Sequence, residues 1–304
     1  TVAIGNGSTA TLTLDGTTYT STGAQTYEAN DINITAGADV TFTTTNTAVE
    51  FQDGAAGQIV LSDATDLTIT TSGGNISIAP TIAGTDSGGG NTAEDITLNA
   101  AGGTVTLSNT GAAVLATEIG DVTLTGATIA LSNSITSTGT NSAGNAATID
   151  INGAVTLNDN DITFTTGGAG IDFSSTIVSG SATPRALTIA QGAGTVTITG
   201  NIGGTASNDL GNITIGATGN DGAITLSGDI GTDSVAGAAI VAVGNAGTSS
   251  ITLGGAEYNT SGTQTYTADD YNLNGTDITF TTSADIVTLS LIHISEPTRP
   301  LYIS

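Results

Sequence analysis

The sequence predicts an all-β protein of the parallel β-helix, or β-solenoid, class. Three observations predict it: short stretches in which apolar and polar residues alternate, turn-forming residues between those stretches, and long internal repeats. Gly accounts for 43 of the 304 residues, and 38% of the residues are hydrophobic. That hydrophobic fraction is too high for a disordered chain, so a repetitive but packed structure is expected.

The shortest repeated pattern is a four-residue word with apolar residues at its second and fourth positions. Examples are DITL at Asp95–Leu98, TVTL at Thr104–Leu107 and DVTL at Asp121–Leu124. Alternation of this kind, with many β-branched residues, predicts strands, and the Gly, Asn, Asp and Ser clusters between words predict turns. No segment shows an apolar stripe with the period of a helix, so essentially no helix is predicted.

Longer repeats connect distant parts of the chain. Ser21–Thr44 returns as Thr260–Thr282, and a partial copy occurs at Asn158–Thr166. DLTI at Asp66–Ile69 also corresponds to ALTI at Ala186–Ile189, 120 positions later. Residues 1–288 therefore form one predicted domain of about two and a half copies of a unit of about 120 residues, related by duplication.

A solenoid is expected because strands this short cannot bury an apolar face alone. Stacked turns solve the problem: equivalent words hydrogen-bond to one another, with Ile, Val, Leu and Phe inside and Thr in outward ladders. A sandwich or barrel is the alternative, but the long unit tolerates small insertions, as loops leaving a solenoid turn would. We expect about 11 to 14 turns and a rod of roughly 55 to 65 Å, an uncapped fragment of something longer.

The charge of the chain argues against several classes of partner. Asp and Glu number 27 against two Lys and Arg, for a formal net charge of −25. Nucleic acids and anionic membrane surfaces are therefore unexpected partners, since both are bound by clustered basic residues. Cys is absent, so neither disulfides nor thiolate metal sites are expected, and no apolar run is long enough to cross a membrane.

Two short motifs, GAQTY at Gly23–Tyr27 and GTQTY at Gly262–Tyr266, precede the alternating words. Together with the Thr- and Gly-rich words, they resemble the central repeats of large bacterial surface adhesins of the filamentous haemagglutinin-like and autotransporter-like kinds. The resemblance covers about residues 1–288 and implies a right-handed parallel β-helix. It implies a secreted or cell-surface protein, associated with the outer membrane, acting without catalysis as a rigid stalk or adhesive surface. Expected partners are host or environmental surfaces, including glycans, with further repeats of the same chain at both ends.

The last residues break the pattern of the repeats. LSLIHISEPTR, at Leu289–Arg299, contains the only His and one of the two basic residues, and it resembles a translated sequencing-library adapter. We therefore interpret residues 289–304 as a non-native tail. On this interpretation His293 is neither a catalytic base nor a metal ligand of the natural protein.

Without the tail, the residues for most kinds of catalysis are missing. Residues 1–288 contain no His, Cys, Lys or Trp, and Arg185 is their only basic residue and is expected in a solvated turn. No catalytic residue and no cofactor are predicted. The alternative is a carbohydrate-active β-helix enzyme, for which Asp269 and Asp270, aligned with Asn30 and Asp31, are the candidate paired carboxylates. A turn role at the start of a strand is favoured for that pair.

Calcium is the one metal for which weak candidates exist, because it prefers oxygen ligands. The candidates are Asp159 and Asp161, and Asp269, Asp270 and Asp277. They would fit a calcium-dependent structural or surface-layer protein. The opposing interpretation is that these Asp residues form local hydrogen bonds to the backbone at turns and strand starts, and no specific metal site is then predicted.

The aromatic residues recur at equivalent repeat positions. Phe42, Phe164 and Phe280 form one set, Phe51 and Phe173 another, and both are predicted to lie in an internal aromatic stack. The Tyr residues are better candidates for an exposed sugar-binding platform, although packing inside the turns is favoured for them too. These are Tyr27 with Tyr266, and Tyr19 with Tyr258.

Overall fold

The chain folds into two compact units, Thr1–Ala154 and Val155–Ser304. The computed structural model describes residues 1–62, 65–85, 93–108, 113–115, 119–141, 143–181, 183–204, 208–217, 219, 222–231, 238–283, 286–291 and 302–303. Across these described ranges the chain forms strands, turns and irregular segments without a helix. The all-β prediction is therefore confirmed.

The first unit consists of short strands, most of them at the alternating words. They are β1 (Val2–Gly5), β2 (Thr11–Leu14), β3 (Thr18–Ser21), β4 (Gln25–Ile34), β5 (Val40–Thr44), β6 (Val49–Leu61), β7 (Leu67–Thr71), β8 (Ile76–Ile78), β9 (Thr81–Gly84), β10 (Glu94–Asn99), β11 (Thr104–Leu107), β12 (Ala113–Leu115), β13 (Ile119–Leu131), β14 (Ser134–Ser137) and β15 (Ile149–Leu157), which extends past the last residue of the unit.

Strands of the first unit pair in parallel from one turn of the chain to the next. On its first side β1, β4, β6 and β8 pair in succession. On its second side β2, β4, β6 and β9 do so, and on its third side β3, β5, β7, β10 and β13. Long strands such as β4 bend from one side to the next and so contribute to two of them. The unit is therefore a parallel β-solenoid, as predicted, and its turns have three sides.

Alternation puts the apolar residues of each word inside the solenoid. Ile32, Ile59 and Ile82 are opposite one another on successive turns of the second side, and all three are fully buried. Polar residues between them point outward and are half-buried or exposed. Burial of aliphatic side chains in columns of this kind is the main stabilising term available to the fold.

Glycine occupies positions where the backbones of successive turns come closest. A Cβ atom on Gly103 would lie 2.4 Å from the carbonyl oxygen of Gly74, and one on Gly153 would lie 2.1 Å from that of Gly126. No side chain fits at those distances. These glycines are therefore required by close approach of the backbone, in addition to the turn role that the sequence predicts.

In three of the repeated TT pairs the second Thr ends a strand and is buried inside the solenoid. Thr44 and Thr71 are buried, and their hydroxyls donate to the carbonyl oxygens of Thr47 and Gly74, three residues later. Thr166 makes the same bond to the carbonyl of Ala169 at 2.8 Å. Each inward hydroxyl thus satisfies a carbonyl of the turn that follows its strand.

The second unit repeats this construction with shorter strands. They are β16 (Ile162–Thr166), β17 (Ile171–Phe173), β18 (Ile177–Ser179), β19 (Leu187–Ala190), β20 (Val196–Ile198), β21 (Ile213–Ile215), β22 (Ile224–Leu226), β23 (Val241–Val243), β24 (Ser250–Leu253), β25 (Glu257–Thr260), β26 (Gln264–Ala268), β27 (Asp270–Leu273), β28 (Thr279–Thr282), β29 (Val287–Leu291) and β30 (Tyr302–Ile303).

Parallel pairing again joins successive turns of the second unit. One side contains β16, β19, β21, β23, β26 and β29. Another contains β17, β20, β22, β24 and β27. On the remaining side the ladder narrows between β18 and β25 to single-residue bridges at Ile202 and Ile230, both of which are buried. The second unit is therefore also a parallel β-solenoid.

Candidate functional site

Gln25 and Tyr27 of the GAQTY motif point into the first unit and are buried. Gln25 is 1% exposed, and its Nε2 donates to the carbonyl oxygens of Tyr19 and Thr43, each at 3.0 Å. Its Oε1 accepts a hydrogen bond from the hydroxyl of Tyr27, also at 3.0 Å. The buried amide of Gln25 in β4 therefore bonds both to β3, which precedes it in the chain, and to β5, which follows it.

The GTQTY motif builds the same network in the second unit. The Nε2 of Gln264 donates to the carbonyls of Tyr258 and Thr281, at 2.7 and 2.9 Å, and the hydroxyl of Tyr266 donates to its Oε1 at 3.0 Å. In both units the backbone N–H of a preceding glycine donates to the hydroxyl of the first tyrosine. These bonds run from Gly16 to Tyr19 at 3.0 Å and from Gly255 to Tyr258 at 3.1 Å.

Aromatic rings pack against these networks, which confirms the predicted internal stack. Phe42 stacks on Tyr19 with ring centroids 4.7 Å apart, and Phe280 stacks on Tyr258 at 5.1 Å. Phe164 and Phe173 meet edge to face at 4.9 Å. All five Phe residues of the two predicted sets are buried: Phe42, Phe51, Phe164, Phe173 and Phe280.

The favoured prediction for these tyrosines, packing inside the turns, is confirmed, and the alternative of an exposed sugar-binding platform is wrong. Tyr27, Tyr258 and Tyr266 are at most 1% exposed, and Tyr19 is half-buried against Phe42. Burial, with a smaller effect of Tyr19, raises the pKa of Tyr27 to about 12. Burial also raises the pKa of Tyr266 well above its usual value. The motif that carries the resemblance to adhesin repeats therefore holds turns together and presents no aromatic surface.

Carboxylates at the start of the third-side strands bond to the turn that follows. Asp66 Oδ1 accepts from the backbone N–H of Asp95 at 2.8 Å, and Asp95 Oδ1 accepts from that of Asp121 at 2.7 Å. Asp121 Oδ1 accepts from the N–H of Thr148 at 2.7 Å. We call Asp66, Asp95 and Asp121 the aspartate column.

Charge accumulates along this column because its members lie on successive turns. Burial raises the pKa of Asp66 above its usual value, and the hydrogen bond from Asp95 partly offsets that effect. The charges of Asp95, Asp39 and Asp121 raise it further. The column therefore combines favourable hydrogen bonds with unfavourable repulsion between like charges.

The calcium candidates lie on the surface. Asp159, Asp161, Asp269, Asp270 and Asp277 are all exposed. Asp161 Oδ1 accepts a hydrogen bond from the backbone N–H of Ala186 at 2.8 Å. Ala186 lies 25 residues away in the sequence, so the prediction of a local hydrogen bond is wrong for Asp161. Within the described residues, no group of three or more His, Cys, Asp or Glu side chains could hold a metal ion. Calcium binding by any of the five stays a prediction.

The remaining candidates occupy structural positions. Asp270 begins β27 opposite Ser250, and the backbone N–H of the preceding Asp269 donates to the carbonyl of Thr248 at 2.9 Å. Arg185 lies between β18 and β19, half-buried, with its Nε donating to the carbonyl of Asn158 at 3.3 Å. It therefore contacts the previous turn and is less solvated than expected. His293 lies outside the described residues, while Leu289–Leu291 continue β29 beside β26.

One surface depression of about 470 Å³ lies in the second unit. It is lined by Gly216, Ala217, Gly219, Asn245, Ala246 and Gly247. The Nδ2 of Asn245 donates to the carbonyl of Gly216 at 2.8 Å, so the one side-chain amide of this lining is engaged in joining two turns. This lining contains no titratable side chain and supplies no acid, base or nucleophile.

Outward Thr residues form the ladders that the sequence predicts, most regularly on the third side of the first unit. Two columns cross its five strands: Thr18, Thr41, Thr68, Thr97 and Thr123 in one, and Thr20, Thr43, Thr70, Asn99 and Thr125 in the other. All ten side chains are exposed or half-buried. We call these ten residues the threonine array; the aspartate column borders it on one edge.

No protein-family model, curated protein or solved structure significantly matches this chain. Among the residues that the structure describes, no helix is long and apolar enough to span a membrane.

Proposed function

We propose that this chain is a non-catalytic repeat segment of a bacterial surface adhesin, serving as a rigid stalk or an adhesive surface outside the cell. The observation that carries the proposal is the use of polar side chains to join neighbouring turns. Gln25 and Gln264 each bond to two strands that pair with each other across successive turns, and Asp95 accepts from the backbone of the next turn. Side chains that would be candidates for chemistry or ligand binding are thus engaged in stacking the solenoid.

A stalk needs a structure whose elements resist separation over its whole length. Parallel ladders join successive turns throughout each unit, and inward amides, hydroxyls and aromatic rings strengthen the same contacts. Multiple weak contacts along such a surface would give an adhesive segment its avidity for a host or environmental surface, including one coated with glycans.

An extracellular stalk is exposed to proteases, so low susceptibility to them supports the proposal. The sequence has only two Lys and Arg residues, and Arg185 is half-buried in a turn. Trypsin therefore has few sites, and cleavage at Arg185 requires local opening. Secretion to the cell surface is proposed on the same ground as the adhesin role, namely the repeat pattern and the solenoid fold.

The experiment displays the chain on a bacterial surface between a membrane anchor and a small reporter domain. We expect beads coated with an antibody to the reporter to bind, and the reporter to be retained after extracellular trypsin. A flexible linker of equal length serves as the control. Rapid release of the reporter by trypsin, or bead binding no better than with the flexible linker, would sink the stalk proposal.

Catalysis is tested on the purified chain with a panel of acidic and neutral polysaccharides. We expect neither new reducing ends nor unsaturated products. If products form and the double variant Asp269→Asn, Asp270→Asn abolishes them, the chain is a carbohydrate-active enzyme and the proposal is wrong.

A further inference from the structure

The threonine array is a two-dimensional pattern with a fixed period in both directions. In-register parallel pairing places Thr41 opposite Thr68, and Thr68 opposite Thr97, so equivalent side chains recur on every strand, about 4.8 Å apart. Along each strand the two columns are separated by two residues, which is roughly 6.6 Å. Nine of the ten positions carry the same side chain, Thr, and the tenth is Asn99.

The array is uncharged, although the chain as a whole is strongly acidic. The sequence carries a net charge of −25, yet none of the ten array positions is charged. On the first side of the same unit, by contrast, outward positions include Glu28 and Glu50. The array is therefore a neutral surface on a strongly acidic chain.

Each Thr side chain presents a hydroxyl and a methyl group in a restricted geometry. A hydroxyl can both donate and accept a hydrogen bond, and branching at Cβ limits rotation about χ1. Because neighbouring Thr residues of a ladder also pack against each other, the hydroxyls lose little freedom when a ligand binds. The array thus holds ordered, neutral hydrogen-bonding groups at regular intervals.

We propose that the threonine array binds the surface of ice. A surface that repeats the same two groups along two axes favours a ligand that is itself periodic along two axes, which means a solid and not a small solute. Water molecules at the surface of ice are neutral, donate and accept hydrogen bonds, and lie at fixed spacings of a few ångströms. Hydroxyls hold such water in place, and the methyl groups between them fill the spaces of its lattice.

Other periodic solids match the array less well. Crystalline polysaccharides are commonly bound by aromatic rings stacked on sugar faces, and the array contains no aromatic side chain. Minerals with anionic surfaces require cations, which the array lacks. Calcium-bearing minerals would be bound by carboxylates, and Asp66 and Asp95 at the border use theirs to accept backbone N–H groups.

Thr68 is the residue at the centre of the array, and Thr68→Lys places a long charged side chain there. The matched control is Thr106→Lys in β11, another outward, half-buried Thr, whose neighbours Ser77 and Ala130 interrupt its ladder. We expect the wild-type chain to shape ice crystals, to depress their growth temperature below the melting temperature and to inhibit recrystallisation. Thr68→Lys should abolish these effects, and Thr106→Lys should preserve them.

The tests use the purified full chain, with crystalline cellulose and calcium carbonate as rival solids in sedimentation assays. Absence of ice shaping and recrystallisation inhibition by the folded wild-type chain overturns the proposal, as does equal loss in both variants. Binding to a rival solid that Thr68→Lys abolishes, without activity on ice, assigns the array to that solid instead. If Thr68→Lys does not fold, Thr43→Lys in the second column replaces it.

The inference deepens the proposed adhesive role by naming a ligand, and it rests on that role only for its biological setting. Ice binding is measured on the purified chain, whereas the stalk proposal is measured by surface display. Failure on ice therefore leaves the display result standing, and failure of the display leaves the ice result standing.

Discussion

The hydroxyl of Tyr27 donates to the side-chain oxygen of Gln25 at 3.0 Å, and both residues are buried. The other end of the same amide bonds to two backbone carbonyls. Gln25→Leu removes these partners at once and leaves a buried hydroxyl unsatisfied. We expect the free energy of unfolding to fall by about 1 to 3 kcal/mol, measured by urea denaturation.

Gln191 supplies the matched control for Gln25. It is fully buried as well, but neither atom of its side-chain amide has a hydrogen-bond partner among the described residues. Replacing an unsatisfied amide with an apolar side chain removes a desolvation cost, so Gln191→Leu should leave stability unchanged or raise it. Equal destabilisation by both substitutions would contradict the role assigned to the Gln25 network.

Two adjacent glycines separate the effect of backbone approach from that of turn flexibility. A Cβ atom on Gly103 would lie 2.4 Å from the carbonyl oxygen of Gly74, while one on Gly102 would have no atom within 4 Å. Gly103→Ala should therefore cost at least about 1 to 3 kcal/mol of unfolding free energy, the usual range for overpacking. Gly102→Ala should be neutral, or stabilising by up to about 1 kcal/mol because the unfolded chain loses freedom. Thermal and urea denaturation followed by circular dichroism distinguish the two, and a harmless Gly103→Ala would show that the turns can separate.

Asp66 should make the first unit less stable at neutral pH than in acid. Its folded-state pKa is raised above the unfolded value of about 3.9, chiefly by burial. The contribution of a group shifted in this direction is fully present below about pH 4 and is lost as the pH rises through the folded-state pKa. Asp66→Asn removes the charge while keeping an oxygen for the N–H of Asp95.

The measurement is the free energy of unfolding of Asp66→Asn and wild type between acidic and neutral pH. We expect the variant to be the more stable protein at neutral pH and the difference to shrink on acidification. Asp15→Asn, at an exposed position outside the aspartate column, is the control for removing a surface carboxylate. A variant less stable than wild type at neutral pH would mean that the charged hydrogen bond outweighs the repulsion.

Buried tyrosines should couple alkaline titration to unfolding. Burial raises the pKa of Tyr27 to about 12, and the unfolded value is about 10. The stability that neutral Tyr27 contributes is therefore fully present below about pH 10 and is lost as the pH rises through 12. Ultraviolet titration should show ionisation of the buried tyrosines together with loss of the β-sheet signal. Ionisation of all tyrosines near pH 10 with the sheet intact would contradict their burial.

Removal of calcium is expected to leave thermal stability unchanged. The five candidate carboxylates are exposed, they form no metal-binding group among the described residues, and that of Asp161 accepts a backbone hydrogen bond. Melting temperatures in chelator and in excess calcium test this expectation, with magnesium as the control. A large decrease in chelator that calcium alone reverses would favour the calcium-dependent surface-layer protein.

Sequence periodicity predicts the fold well because it depends on local alternation. The inward position of Phe42 and Phe164 follows from the same alternation and is confirmed. Gln25 was missed as a buried residue, although it lies two positions before Tyr27 in an alternating strand and so shares its face. Placing that face inside identifies both residues.

Contacts between turns are what the sequence does not reveal. Asp66 and Asp95 are 29 residues apart, whereas Asp161 and Ala186 are 25 apart, so the partner of a carboxylate depends on the length of its own turn. A local turn role is the natural expectation for each Asp taken singly. Only the register between turns shows which backbone N–H each one faces.

The carboxylates of Asp66 and Asp95 accept hydrogen bonds from backbone N–H groups. Every amino acid except proline supplies such a group. The receiving turn can therefore drift in sequence without losing the bond, provided that proline does not enter at that position. A turn copied by recombination could therefore keep this bond where its register with the neighbouring turn is preserved. Such tolerance lets the residues that donate these N–H groups vary while the turns stay stacked.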